Sequence, residues 1–195
     1  MSKKVIEVKK DDLRELYKTL TNYPQISKEQ VKNEMQKCFG EDVFKPKNIM
    51  ERVTTFEDAC NELGEDNYFV KRYKAIYEEI CDDRDMVAYL KLRIIAAALN
   101  EGWHPKFTEN EWRYWPWFYI YSKEEWNAMS EEDKGRVVGR SYSNANAYGG
   151  VVFASSNSAS SRSNTFIGSR LAFKSEELAV YCGKQFIEIW VDYIC

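Results

Sequence analysis

With 195 residues, 44% of them hydrophobic and 15% aromatic, the chain has enough apolar surface for one substantial core, or for a small helical unit joined to a mixed domain, and it falls outside the disordered class. A net charge of -3 argues against a general, sequence-blind DNA binder. No segment approaches the roughly 20 apolar residues of a membrane span, and the charged start, Met-Ser-Lys-Lys, lacks the apolar run of a signal peptide.

Residues 3 to 10 read as a short strand or extended arm. From Asp11 the pattern turns helical, with Asp11 or Asp12 as N-cap, Leu13, Leu16, Tyr17 and Leu20 at helical spacing, and Pro24 as the stop. Ser27 and Gln30 form a capping box that opens a second helix, closed by Gly40. Residues 41 to 53, with Pro46 among them, show little periodicity and read as a linker. Thr54 or Thr55 then caps a helix that ends at Gly64, and another helix is expected from Tyr68 to about Ile80. The strongest helical signal runs from Asp85 to Leu99, with Met86, Leu90, Ile94, Ala97 and Ala98 as its apolar face and Asn100-Glu101-Gly102 as its end.

After Gly102 the period shifts from 3.6 to 2. Trp112 to Tyr121 reads as an aromatic strand, with Tyr114, Phe118 and Ile120 on one face and Trp115, Trp117, Tyr119 and Tyr121 on the other. Pro116 calls for an edge position or a bulge. A capping box at Ser122 and Glu125 opens a short helix, and further strands are expected at about 136 to 143, 148 to 155 and 165 to 173, with a polar loop from Ser155 to Asn164. Ser175 caps a last helix whose Leu178, Cys182, Phe186, Ile189 and Tyr193 form a core-facing stripe. The fold class expected is therefore α+β: a helical N-terminal half and a small, mainly antiparallel sheet over about 112 to 173, closed by a C-terminal helix. The expected division is an N-terminal helical segment at 1 to 40 and an α+β domain at 41 to 195.

The charge is unevenly spread. Residues 134 to 195 carry a balance of +3 against -6 for the first 133, a polarity able to steer a negatively charged partner. Between Lys134 and Lys174 lie Arg136, Arg140, Arg162 and Arg170 and no Asp or Glu, among Ser, Asn, Gly and aromatic residues. Arginine forks and close backbone N-H groups suit phosphate or carboxylate. Two readings stand open: the arginines converge on an anion, with Arg140 and Arg170 held mid-strand, or they dot a solvated sheet face and pair with acids of the first half. Trp115, Trp117, Tyr119 and Tyr121 are candidates to stack on a base, against the alternative that the aromatic strand is core material, and Tyr148, within the acid-free stretch, joins Trp115, Trp117 and the four arginines as a candidate ligand-binding residue.

Phe44-Lys-Pro-Lys-Asn-Ile-Met-Glu-Arg-Val53, Thr55 to Gly64, Tyr89 to Trp103, and Ile167-Gly-Ser-Arg-Leu-Ala-Phe-Lys-Ser-Glu-Glu-Leu-Ala179 with Gly183-Lys-Gln-Phe186 resemble segments of an uncharacterised protein family of Bacteroidetes phages and prophages. The resemblance covers about residues 40 to 195 and departs from the family at Glu65 to Asp85, which is longer here. It implies a phage-related origin and carries over no catalytic residue.

Nucleophilic catalysis needs a base, and the single histidine, His104, stands before Pro105 beside Trp103, where a surface or packing role is the plainer reading. No Walker loop, dinucleotide fingerprint or Gly-x-Ser-x-Gly elbow occurs. The five cysteines lack metal-ligand spacing and read as reduced cytosolic thiols. No catalytic residue, metal ligand or cofactor is assigned. The function expected is a phage-derived accessory protein of the host cytoplasm that binds an anionic ligand, such as a nucleotide, a signalling nucleotide or a nucleic-acid segment, to counter host defence. The alternative is a structural or assembly component of the phage particle, acting through contacts with a host or phage protein or with further copies of itself. A hydrolase is third.

Overall fold

The computed structural model describes residues 8–106, 108, 110–135, 151–160 and 169–194, with backbone alone at 151–160. The chain is helix-rich and divides into two compact units, residues 1–48 and 49–195. The division falls after Asn48, later than the expected boundary at Gly40.

In the first unit, α1 (Lys10–Thr21) and α2 (Lys28–Phe39) are followed by a 3-10 turn at Glu41–Phe44. Lys9, and neither Asp11 nor Asp12, holds the N-cap position of α1, so the aspartates sit in the first turn, where the helix dipole favours them. Ser27 caps α2 by accepting from the Gln30 N-H, and Gly40 ends it at φ 91°. Leu13, Met35 and Val43 make a small core, bordered by Tyr17, Val31 and Phe44. Val43 is buried, so the start of the stretch read as a linker is anchored.

The second unit begins with α3 (Ile49–Arg52), a helical turn within that same stretch. A full capping box between Thr55 and Asp58 starts α4 (Phe56–Leu63), and Gly64 closes it at φ 81°. Asn67 caps α5 (Tyr68–Ile80), and Asp83 caps α6 (Arg84–Leu99). The expected one-sided stripe on α6 is corrected. Leu92, Ile94, Ile95, Ala96, Ala98 and Leu99 are buried on every side of the helix, whereas Met86 is exposed. A helix apolar all round has to be surrounded, and α4, α5 and the C-terminal helices do so.

β1 (Trp112–Ile120) pairs antiparallel with β2 (Val151–Ser160), in a register from Trp112 opposite Ser160 to Ile120 opposite Val151. The register shifts between Trp117 and Phe118, next to Pro116, whose missing N-H disfavours a regular ladder. Between the strands come α7 (Lys123–Ala128), opened by the expected capping box at Ser122 and Glu125, and α8 (Glu131–Gly135).

Three expectations for this half are corrected. Among the described residues the strands amount to one antiparallel pair rather than the sheet of several strands expected over about 112 to 173. Residues 155 to 160, read as loop, are strand. Of the strand expected at 165 to 173, residues 165 to 168 lie outside the described residues, Ser169–Leu171 forms a 3-10 turn, and Phe173 makes an isolated bridge with Tyr114. The strand expected at 136 to 143 lies outside the described residues.

The last helix is two helices, α9 (Glu176–Gln185) and α10 (Ile187–Ile194), broken at Phe186. Tyr181 of α9 places its hydroxyl 2.7 Å from the Met50 carbonyl oxygen and 2.8 Å from that of Val53, while the Gln185 side-chain amide donates to Thr54 O. α9 thereby satisfies carbonyls that the short helix α3 leaves open at its end. Leu171, Phe173, Leu178, Ala179, Cys182 and Trp190 complete a core with α6. No helix among the described residues is long and apolar enough to cross a membrane.

Trp190 is 1% exposed and lies 5.2 Å, ring to ring, from Phe118. Trp190→Ala leaves a large cavity and is expected to destabilise the second unit by about 3–5 kcal/mol, measured by urea denaturation followed through tryptophan fluorescence; every tryptophan of the chain lies in this unit.

Candidate functional site

At the C-terminal end of α6, a cleft of about 270 Å³ is lined by Phe69, Arg93, Asn100, Trp103, His104 and Arg170, with alanines between them. Helical spacing places Arg93, Ala97 and Asn100 at i, i+4 and i+7, on one side of the helix. The methyl side chain of Ala97 leaves the room that a larger residue would fill.

Arg93 is held by aromatic rings. Its guanidinium carbon lies 4.6 Å from the centre of the Phe69 ring, from α5, and 5.8 Å from that of Tyr89, one turn earlier on α6. Arginine stacks well because its planar group is weakly hydrated. Among the described residues it meets no carboxylate.

Arg170 reaches the cleft from a segment clamped at each following residue. Leu171 is fully buried. The Asn100 amide donates to Ala172 O at 2.8 Å, and its oxygen accepts from the Lys174 N-H at 3.0 Å. Between these, Phe173 and Tyr114 exchange both backbone hydrogen bonds, at 2.7 and 3.1 Å. Arg170 is exposed at the edge of this anchor and, among the described residues, also meets no carboxylate.

An ion-pair network backs the anchor. Glu101 lies 2.9 Å from both Arg52 and Lys174, and Arg52 lies 3.1 Å from Glu62. Glu101 adopts φ 49°, a left-handed conformation that costs a non-glycine residue about 1–2 kcal/mol; its two ion pairs oppose that cost. Hydrogen bonds from Lys174 and then from Arg52 hold the Glu101 carboxyl below its usual range.

The other expected site residues separate. Arg136, Arg140, Arg162 and Tyr148 lie outside the described residues. Lys174 and Lys134, the ends of the acid-free stretch, are paired with Glu101 and Glu131, and Lys134 also lies over the Trp126 ring. Arg170 belongs to a 3-10 turn rather than the middle of a strand, because its neighbours are pinned to α6 by Asn100 rather than by a strand ladder.

Trp115 and Trp117 are on β1 and do not line the cleft. Trp115 is buried, while Trp117 continues into an aromatic row with Tyr119 and Tyr121, and the Tyr119 hydroxyl donates to Glu125. In their place the cleft uses Arg93, Trp103 and His104. Their signal in the sequence is Arg93 in the apolar second half of a helix, seven residues before the capping Asn100, with Trp103-His104-Pro105 beginning three residues after it.

A second groove, of about 560 Å³, runs along α9 past Met50, Val180 and Tyr181. Glu176 and Glu177 outweigh Lys184 in its lining and make it a poor seat for an anion. The buried Cys182 thiol is pushed up to about 12 by desolvation, so it offers no thiolate near neutral pH. Among the described residues no three His, Cys, Asp or Glu side chains gather as metal ligands would.

No family model, curated protein or solved structure matches the chain.

A carboxyl held below its ordinary value contributes stability above the unfolded-state pKa of about 4.5, and this is lost as the pH falls through the lower folded-state value. Glu101→Gln is therefore expected to lower stability at pH 7 and to flatten the decline below about pH 4.5, as read from urea midpoints across the acid range.

Proposed function

We propose that this chain binds a small anionic ligand in the cleft at the end of α6, with Arg93 and Arg170 as the two groups that hold the negative charge. The observation that carries this reading is that both guanidinium groups line one cleft of about 270 Å³ and neither, among the described residues, is neutralised by a carboxylate. Nearby cations are engaged otherwise, Arg52 by Glu62 and Glu101, and Lys174 by Glu101. A cation left with capacity inside a concave, partly apolar site is suited to charge-assisted hydrogen bonds.

The phage-related setting implied by the sequence resemblance gives such a binder a role: an accessory protein of the host cytoplasm that withholds a nucleotide or another phosphorylated ligand from a host response. His104 at the cleft edge is the one residue from which a hydrolytic variant of this reading starts. Among the described lining residues it has no serine, cysteine or carboxylate beside it to act as nucleophile.

Binding of inorganic phosphate, ribose 5-phosphate and nucleoside monophosphates, followed by calorimetry and thermal shift, tests the proposal. Arg170 is exposed, so Arg170→Ala is expected to leave the melting temperature nearly unchanged while weakening phosphate binding at least tenfold. Arg93→Lys keeps the charge but loses the planar fork, and a several-fold loss is expected. Undiminished binding in Arg170→Ala would contradict this assignment, and failure of every phosphate to bind would leave the contacts of an assembly protein as the better account.

A further inference from the structure

Resting on that reading, we infer that the ligand class is a single nucleotide, gripped by its phosphate and stacked on Trp103, with little discrimination among bases. The inference follows from which groups of the cleft are already spent. Asn100 is the residue type best suited to read a base edge, because its amide both donates and accepts. Here both halves of that amide are committed to the backbone, the nitrogen to Ala172 O and the oxygen to the Lys174 N-H.

Arg93, Arg170 and the Trp103 indole are donors only. Among the other described lining residues, His104 alone can supply an acceptor from a side chain. A set of donors with one acceptor suits phosphate, which accepts in every direction, and lacks the paired donor and acceptor that separate one base from another.

The aromatic groups divide in the same way. The Phe69 face is occupied by Arg93 at 4.6 Å. Trp103 lines the cleft half-buried, is fixed at its own backbone by a 2.9 Å hydrogen bond to Asn100 O, and among the described residues stacks on no other ring. It is the aromatic surface left for a planar guest, and stacking tolerates any base because each has a π face.

Size and charge limit the guest to one unit. A volume of about 270 Å³ lies at or below the small end of the roughly 300–1,000 Å³ typical of ligand pockets, enough for one ring system with its sugar and phosphate. Two guanidinium groups match the charge of one terminal phosphate, about -1.5 to -2 at neutral pH. A continuing strand would need further cations for its next phosphates, and the neighbouring Arg52 and Lys174 are held by Glu62 and Glu101.

Calorimetry on the full chain with AMP, GMP, CMP, UMP, ribose 5-phosphate and a dinucleotide tests the inference. The four monophosphates are expected within about threefold of one another and each about 5- to 150-fold tighter than ribose 5-phosphate, the margin of one base-aromatic stack. The dinucleotide is expected to bind no tighter than its monomers. Trp103→Ala, with a cooperative melting curve as proof of folding, is expected to erase the margin over ribose 5-phosphate.

Equal binding of ribose 5-phosphate and the monophosphates, or a preference above tenfold for one base, would overturn the inference. If Arg170→Ala still weakened phosphate binding at least tenfold in that case, the anion site itself would stand. Binding of no phosphate at all would overturn both.

Discussion

Two hydrogen bonds from one side chain set the geometry on which the cleft depends. Asn100 follows directly on α6, is 5% exposed, and grips the backbone at Ala172 and Lys174, more than seventy residues away in sequence. A buried amide with both ends satisfied is stable in its place, whereas losing either partner would expose a desolvation cost of about 1–3 kcal/mol for each group left unpaired. The contact joins the end of the central helix to the start of the C-terminal helices. It also decides where Arg170, two residues before the clamp, can go.

Around this contact the other features follow in order. α6 is apolar on every side through its second half, so α4, α5 and the C-terminal helices must cover it. The polar exception, Arg93, is accepted there because Phe69 and Tyr89 provide ring faces rather than bulk hydrocarbon. The Arg52, Glu62, Glu101 and Lys174 network lies beside the clamp and engages Arg52 and Lys174 with carboxylates. Among the described residues, two arginines that meet no carboxylate, one tryptophan and one histidine gather at the end of α6.

Local signals in the sequence were read well where they act locally. The caps at Ser27, Thr55, Ser122 and Ser175 are where the residue pattern puts them, and α5 has the expected limits, because a cap and its helix are settled within a few residues. The errors arose where distant partners decide. Of the stretch read as a strand at 165 to 173, Ser169–Leu171 forms a 3-10 turn and Phe173 a single bridge, because Asn100 and Tyr114 take the backbone bonds of 172 to 174. Trp115 and Trp117 carry the aromatic signal but are not among the described residues lining the cleft with Arg170, while Trp103 and Arg93 stand in segments that read as ordinary loop and helix. Charge along the sequence misled for a related reason: an acid-free run says nothing about the acids that fold against it, and Glu101 meets Lys174 across 73 residues.

The central claim is that Arg93 and Arg170 converge on one anion, and the most direct measurement is anomalous diffraction from crystals of the full chain soaked in tungstate. The account predicts a strong peak within hydrogen-bonding reach of both guanidinium groups, beside Trp103, and its disappearance in Arg170→Ala crystals. Peaks confined to other basic residues, with the cleft between Arg93 and Arg170 vacant, would contradict it.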